Sequence, residues 1–295
     1  PRRPALVDQR PRGRRLPRQR ELPMNRCRGF TLAELAIALV IIGLLLASAF
    51  VPLNTQIELR AVTDTRRIQE NVKDAITGFA QANGRLPCPA DPTIASGVAN
   101  AGTERATCNT GANMVGVVPW ATLGTPELDA WGRRLTYRVA TIFADAIASA
   151  TYQSTGQTPT CDPPTNPTTP APVLASFALC SLGDITVYTR DPANHATTTA
   201  LASRVAAVIV SHGKNGNGAY LPSGSQKTAA AANTDELANA TFTAGATSFY
   251  NRDPTPSASG CSDTSGTAFC EFDDIVTWIS PPTLVMRMVS AGKLP

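Results

Sequence analysis

The sequence is poor in the side chains on which metal centres and catalytic triads depend. Its 295 residues include two histidines, His195 and His212, and no C-x-x-C pair. A zinc site is therefore not indicated, because its His and Cys ligands normally come in closely spaced pairs. His195 lies in a threonine-rich stretch, and Ser211-His212-Gly213 has no acid or base close to it in sequence. We expect no catalytic residue and no enzyme.

Signatures of phosphate and nucleic acid binding are also missing. GKNGNG at residues 213–218 lacks the GxxxxGK[ST] spacing of a phosphate-binding loop. The net charge of +4 comes from ten Arg against two acidic residues at 1–29, whereas residues 30–295 hold 16 basic and 20 acidic residues. Arg133, Arg134 and Arg138 form no basic cluster with interleaved aromatic residues, so we expect no nucleic acid partner.

Charge is absent from residues 35–57, a run of 23 residues. A helix of that length is roughly 34 Å long, enough to cross the hydrocarbon of a bilayer, and we predict a transmembrane segment in about 35–57. The basic residues before it hold the N-terminus in the cytoplasm and leave the C-terminal part in the periplasm. Glu34 is costly beside such a segment, so we expect it to have a partner.

The residues before this run carry a processing signature. Arg28-Gly29-Phe30, followed by Glu34, resembles the class III signal of type IV pilins and of the pseudopilins of type II secretion. The resemblance implies that a prepilin peptidase cuts between Gly29 and Phe30 and methylates the new amine of Phe30. It also implies that the helix first anchors the subunit in the bacterial inner membrane and later packs in a filament. There Glu34 would neutralise the amine of Phe30, its own or a neighbour's.

Two other kinds of N-terminal segment compete with this interpretation. One is a Sec signal peptide cut after Ala47-Ser48-Ala49, and the other is a plain signal anchor. Neither requires Gly29 beside Phe30. Residues 1–23 are rich in Pro and Arg, and we expect them to be disordered, or not translated if synthesis starts at Met24. The alternative is a genuine cytoplasmic extension.

The predicted helix extends beyond the charge-free run. Apolar residues continue to recur at three- and four-residue steps, which indicates an amphipathic helix, and Gly84 predicts its end. This pattern divides the chain into three parts: a basic leader at 1–29 (of which 24–29 is the prepilin leader), an N-terminal helix at 30–84, and a periplasmic domain at 85–295.

The predicted periplasmic domain has short β-type runs separated by turn-rich joints. Four of them are predicted strands: Leu135–Thr141, Ile185–Thr189, Val205–Ser211 and Ile275–Ile279. Thr155–Pro172 and about 222–262 are predicted long loops, the second with a short helix at Thr228–Ala240. The fold class is α+β and pilin-like, with a long N-terminal helix packed on an antiparallel sheet.

Six cysteines lie in this domain: Cys88, Cys108, Cys161, Cys180, Cys261 and Cys270. An even number in an exported domain indicates disulfides, and fifteen connectivities are open. We predict the neighbouring pairs Cys88–Cys108, Cys161–Cys180 and Cys261–Cys270, since each would close one loop. Cys27 lies in the leader.

Two further segments strengthen the resemblance. Arg85-Leu86-Pro87-Cys88-Pro89 follows the predicted helix and resembles a motif of pilin-like proteins at that position. Asp129-Ala130-Trp131-Gly132, followed by Tyr137, resembles a segment of the major pseudopilins. We interpret the second segment as a turn that leads into a strand, with Trp131 and Tyr137 in the core and no catalytic role.

A third segment bears on metal binding. Val208–Gly218 together with Asp273-Asp274 resembles the strand, turn and terminal acidic pair between which major pseudopilins bind calcium. The resemblance implies a calcium site at Asp273 and Asp274, with Glu271 as a nearby carboxylate. The connecting loop is longer here and contains two cysteines, so the disulfide Cys261–Cys270 is an alternative clip. The plainest alternative is a capped, solvated turn.

Together these features predict a structural role. We expect a minor or specialised subunit of a type II secretion pseudopilus or a type IV pilus. The insertions at 150–175 and 222–262 favour a tip or adhesive subunit. Expected partners are prepilin peptidase, other pilin or pseudopilin subunits, the inner membrane and the filament assembly platform. The alternative is a signal-anchored periplasmic binding protein or adhesin that does not polymerise.

Overall fold

The computed structural model describes residues 30–108, 111–144, 175–228, 233–243, 246–266 and 268–294, without the side chains of 45–55 and 111–112. The leader at 1–29, the predicted loop Thr155–Pro172 and Cys161 lie outside the described residues. The chain divides into two compact units, Pro1–Asn54 and Thr55–Pro295.

Helix α1 runs from Leu32 to Asn83 and contains 52 residues, close to the predicted helix. Residues at three- and four-residue steps in its second half are buried: Thr65, Gln69, Val72, Ile76 and Ala80. The helix ends where Gly84 adopts a φ of 73° and donates its N–H to Ala80 O at 2.7 Å. Glycine accepts this left-handed conformation without a steric penalty, which is why the helix stops there.

The described side chains of α1 at residues 35–44 are apolar and exposed. Leu35, Ile37, Leu39 and Val40 are 54%, 60%, 61% and 62% exposed. Among the described residues, no helix is both long enough and apolar enough to cross a membrane. The transmembrane segment at about 35–57 therefore stays a prediction.

The main sheet is antiparallel, as predicted. Its strand order is β1 (Val115–Val117), β2 (Thr136–Val139), β5 (Ala207–Ser211) and β7 (Ile275–Ile279). Tyr137 pairs with Ile209, and Ile209 pairs with Thr277. β2 is shorter than its predicted range, because Thr141 begins helix α3 (Thr141–Ala144) and turns Phe143 into the core.

A second sheet contains β3 (Ile185–Asp191), β4 (Asn194–Val205) and β6 (Ser248–Tyr250), in the order β4-β3-β6. β3 pairs with β6 in parallel, which differs from the purely antiparallel expectation. The predicted strand Val205–Ser211 is confirmed from Ala207 onward, but its first two residues form a corner. Val205 ends β4, Ala206 donates its N–H to Ile279 O, and β5 begins at Ala207.

One core joins the second half of α1 to both sheets. Its largest fully buried apolar side chains include Phe143 and Phe177, whose ring centroids lie 4.8 Å apart, and Tyr137. Each such side chain stabilises the fold by roughly 1.5–3 kcal/mol through removal of apolar surface from water. Helix α5 (Pro281–Ser290) adds Leu284 and Met288 to the same core.

Disulfides join Cys88 to Cys108 and Cys261 to Cys270, the neighbouring pairs expected from the sequence. Cys180 is also disulfide-bonded, whereas its predicted partner Cys161 lies outside the described residues. The described residues also contain the short α-helices α2 (Trp120–Leu123) and α4 (Thr234–Asn239) and a 3-10 helix at Gly111–Met114. α4 is shorter than the predicted helix Thr228–Ala240, because Asn233 caps its start by accepting a hydrogen bond from Glu236 N.

Candidate functional sites

The start of α1 is closed by reciprocal hydrogen bonds between Thr31 and Glu34. Thr31 N and Thr31 Oγ1 both donate to Glu34 Oε2 at 2.9 Å, and Glu34 N donates to Thr31 Oγ1 at 3.2 Å. This is a capping box, which satisfies backbone N–H groups that the first helical turn leaves without partners. Phe30 precedes the box and is 85% exposed, whereas Gly29 lies outside the described residues. The predicted cleavage point therefore adjoins an ordered helix start.

A second cluster of carboxylates lies at the edge of the main sheet. Glu236 on α4 joins Asp273 and Asp274, which directly precede β7, and one oxygen of each lies within 4.8 Å of the others. The structure thus brings the two predicted aspartates together with a residue from the inserted segment. Glu271 is not one of these three residues but lies close enough to act on Asp273, as the nearby carboxylate that was expected. Its backbone oxygen accepts a hydrogen bond from Asn233 Nδ2.

The turn after β5 positions these carboxylates. Gly213 has a φ of 51°, and a Cβ at this position would lie 2.4 Å from Asp273 Oδ1, so only glycine fits. Arg133 holds the turn by donating to the backbone oxygens of Gly213 and Lys214. Gly213 therefore serves close packing against Asp273.

Glu236 is saturated with hydrogen-bond donors, but the aspartates are not. Side-chain amides of Asn215, Asn217 and Asn233 donate to Glu236 at 2.8, 3.0 and 2.7 Å. Asp273 N adds a fourth bond at 3.1 Å. By contrast, Oδ1 of Asp273 and Oδ1 of Asp274 are buried and make no hydrogen bond within the described residues. Two buried oxygens of one cluster thus lack hydrogen-bond partners among the described residues and could contact a bound ligand.

The remaining contacts of the aspartates orient them. Asp273 Oδ2 accepts from Asn215 N at 2.7 Å, and Asp274 Oδ2 accepts from Asn239 Nδ2 at 2.8 Å. His212 Nδ1 lies 3.5 Å from Asp274 Oδ1, and its Nε2 lies 2.8 Å from Thr136 Oγ1. Asp274 is 4% exposed, so the alternative of a solvated turn is wrong for this residue.

Burial makes the ionised form of this cluster costly. Desolvation, followed by the charge of Asp274, raises the pKa of Glu236 to about 7. Desolvation also raises the pKa of Asp273 to about 6, with repulsion from Asp274 and Glu271 acting in the same direction. Carboxylates in this state lower their energy by taking up a proton or by binding a cation.

The donor set suits a hard cation such as calcium, which prefers carboxylate and carbonyl oxygens. Asp273 Oδ1 and Asp274 Oδ1 are free to ligate, whereas Glu236 would have to release amide donors to do so. The disulfide Cys261–Cys270 is present together with the cluster, so it does not remove the acidic site. When bound, calcium would supply the positive charge that these carboxylates lack.

The two histidines have packing partners. His195 stacks on Phe269 with ring centroids 3.7 Å apart, and its Nδ1 lies 3.0 Å from Ser262 O. His212 is buried between Thr136 and Asp274. Neither histidine is exposed, so both are explained by the fold around them.

The two motif segments have structural roles. Asp129 Oδ1 accepts hydrogen bonds from Trp131 N and Arg133 N at 2.9 Å, which forms the expected turn. Tyr137 is in the core and donates its hydroxyl to Pro87 O at 3.2 Å. Trp131, however, is only partly buried, so its predicted place in the core is wrong.

Comparison with known proteins identifies the N-terminal segment. Residues 24–50 match the family model of the prokaryotic N-terminal methylation motif. The chain carries a type IV pilin-type processing signal. A signal of this kind implies cleavage by prepilin peptidase and pilin-type assembly, and the matched range includes Gly29, Phe30 and Glu34. Neither a curated protein nor a solved structure matches the chain.

Proposed function

We propose that this chain is a structural subunit, minor or specialised, of a type II secretion pseudopilus or a type IV pilus. The observation that carries the proposal is the methylation motif at residues 24–50, which contains the start of α1 and its capping box. Prepilin peptidase cuts between Gly29 and Phe30 and methylates the new amine. Phe30 then becomes the first residue, directly before the box.

The capping box prepares Glu34 for this amine. Only Oε2 of Glu34 accepts the bonds from Thr31, and Oε1 makes no hydrogen bond within the described residues. A new ammonium at Phe30, from the same or a neighbouring chain, therefore finds an oriented carboxylate with a free oxygen. A charged pair of this kind offsets the cost of placing either charge in an apolar environment.

The apolar, exposed stretch of α1 at residues 35–44 supplies the assembly surface. Its side chains are covered by lipid while the subunit waits in the inner membrane, with the N-terminus in the cytoplasm. In the filament they are covered by the same helices of neighbouring subunits. The residues from 85 onward form the periplasmic domain, held together by its disulfides.

We further propose that the acidic cluster binds calcium. The supporting observation is the pair of buried oxygens, Asp273 Oδ1 and Asp274 Oδ1, that make no hydrogen bond among the described residues. The cation would fix the segment that contains α4 against β7. Its role is structural, because it joins an inserted segment to the main sheet.

Substitution of Glu34 tests the filament role. We expect Glu34→Gln to leave membrane insertion and cleavage intact but to abolish incorporation into filaments, measured by immunoblotting of sheared filaments and of membranes. Thr31→Ala, which loses the cap but keeps the carboxylate, is the matched control and retains most incorporation. If Glu34→Gln assembled normally, the account of Glu34 would be wrong and the non-polymerising anchor would be favoured.

A further inference from the structure

A cleft of about 720 Å³ lies beside the partly buried Trp131. Its walls come from α1, from the turn that holds Trp131, from the turn after β5, from β3 and β4, and from the segment after β6. Asp273 and Asp274 of the acidic cluster also line it, at the start of β7. The volume falls within the range of about 300–1,000 Å³ that small-ligand sites occupy. All of its lining residues belong to the unit Thr55–Pro295.

The polar side chains of the cleft are available to a ligand. Within the described part of the chain, the side chains of Arg66, Thr189, Asn251 and Asp253 make no hydrogen bond or ion pair, and neither does the indole N–H of Trp131. The surrounding turn fixes Trp131, because Asp129 Oδ1 accepts its backbone N–H at 2.9 Å. The site therefore combines an aromatic side chain on a fixed turn with several donors and acceptors that have no partner among the described residues.

The charges of the cleft balance. Four carboxylates and three basic side chains line it, so neither sign dominates. Lys214 is paired with Glu58 at 2.9 Å, and Arg252 is held by Asp235 and Asp263. Outside the acidic cluster, where a single cation would be bound, the lining has no excess of one sign by which a large, strongly charged ligand would be recognised.

We propose that this cleft binds a neutral oligosaccharide. A sugar ring presents C–H groups on one face, which pack on the electron-rich face of an indole. Its hydroxyl groups both donate and accept hydrogen bonds, and the free amide, hydroxyl, carboxylate and guanidinium groups of the cleft match them. Hydrogen bonds of this kind also discriminate, because a ligand that lacks the hydroxyls leaves the site's polar groups unpaired.

The test uses the full chain in a polyoxyethylene detergent, since detergents with sugar headgroups would compete. Maltohexaose, cellohexaose and N-acetylchitohexaose are titrated by isothermal calorimetry. We expect at least one of them to bind with a Kd of roughly 1 mM or tighter. Trp131→Ala should weaken that binding by about tenfold or more, since it removes the stacking surface.

Two neighbouring arginines provide a matched control on one helix. Both are exposed, but Arg66 lines the cleft and Arg67 does not. Arg66→Ala should weaken binding and Arg67→Ala should not. Trp131→Phe, which keeps an aromatic ring in the turn, should retain part of the affinity and guards against a folding defect in Trp131→Ala.

The proposal would be overturned if none of the three neutral probes bound at roughly 10 mM. It would also be overturned if a folded Trp131→Ala variant bound as tightly as the wild type. Preferential binding of an extended peptide or of an anionic polysaccharide in place of the neutral probes would assign the cleft to another ligand class and equally contradict it.

Discussion

The two carboxylate sites of this chain differ in where their hydrogen-bond partners lie. Glu34 is exposed, and its side chain accepts both of its bonds from Thr31, three residues away. Glu236, Asp273 and Asp274 come from distant segments, and two of their oxygens are buried without a hydrogen bond. An exposed carboxylate whose hydrogen-bond donors lie in the same helical turn can still pair with a positive charge from another chain. In a buried, crowded set, desolvation and mutual repulsion make the ionised form costly.

The largest effect on the free energy of unfolding is expected from a substitution that disrupts the packing of the acidic cluster. Gly213→Ala places a Cβ 2.3 Å from Asp273 O at a φ of 51°. We expect the free energy of unfolding to fall by about 3 kcal/mol, measured by urea denaturation of the full chain in detergent. Gly78→Ala is the control, since no atom would lie within 4 Å of its Cβ in α1. It should instead stabilise the helix by roughly 0.5–1 kcal/mol.

The pH dependence of the free energy of unfolding tests whether burial distinguishes the acidic cluster from the exposed Glu34. Burial raises the pKa of Glu236 to about 7 and that of Asp273 to about 6. The folded state therefore binds protons at these two groups that the unfolded state releases, so their contribution to stability is greatest at low pH and is lost as the pH rises through these values. Without metal, the free energy of unfolding should fall on the order of 3 kcal/mol between about pH 5 and pH 8.

Glu236→Gln should flatten this profile in chemical denaturation with EDTA present. Glu58→Gln, on an exposed side chain outside the cluster, is the control and should keep the wild-type slope. A wild-type profile that rises from about pH 5 to pH 8 would show that the cluster is not the source of the pH dependence.

Calcium should restore the free energy of unfolding that is lost as the pH rises. At about pH 8, calcium at a hundredfold excess over its Kd should stabilise the folded chain by about 2.7 kcal/mol, seen as a rise in Tm. The double substitution Asp273→Asn, Asp274→Asn removes both free oxygens and should abolish the rise. If calcium left the Tm of the wild type unchanged, the proposed calcium site would be wrong.

The smallest effect is expected at the start of α1. Thr31→Ala removes the capping hydroxyl and should lower the stability of the first turn of α1 by about 1 kcal/mol. Faster amide hydrogen exchange at residues 32–35 would report it, while exchange in β5 and β7 stays as in the wild type. Thr31→Ser keeps the hydroxyl and should exchange normally. Equal protection in Thr31→Ala would mean that other contacts hold the first turn.

The sequence predicted most accurately those features that depend on residues close together along the chain. The processing signal, the length of α1 and its end at Gly84 depend on neighbours along the chain, and the antiparallel pairing of β2, β5 and β7 follows from short apolar runs. The capping box was also readable, because Thr31-x-x-Glu34 is its ordinary pattern, but Glu34 was interpreted only through the amine of Phe30.

The rest depended on contacts between distant residues. Glu236 was missed because nothing in the sequence relates α4 to Asp273. β4 was missed because its threonines and alanines are exposed on both faces and show no alternation. Trp131 was placed in the core on its size, whereas the turn built on Asp129 holds it at a cleft.

The central claim is tested most directly by the mature N-terminus, determined by mass spectrometry in cells with and without prepilin peptidase. The account predicts a chain that begins at N-methylated Phe30 and that disappears when the peptidase is absent. A chain that begins at Phe50, after Ala47-Ser48-Ala49, would contradict it and indicate an ordinary secreted protein. An uncut chain that begins at Met24 would contradict it as well and leave only a signal anchor.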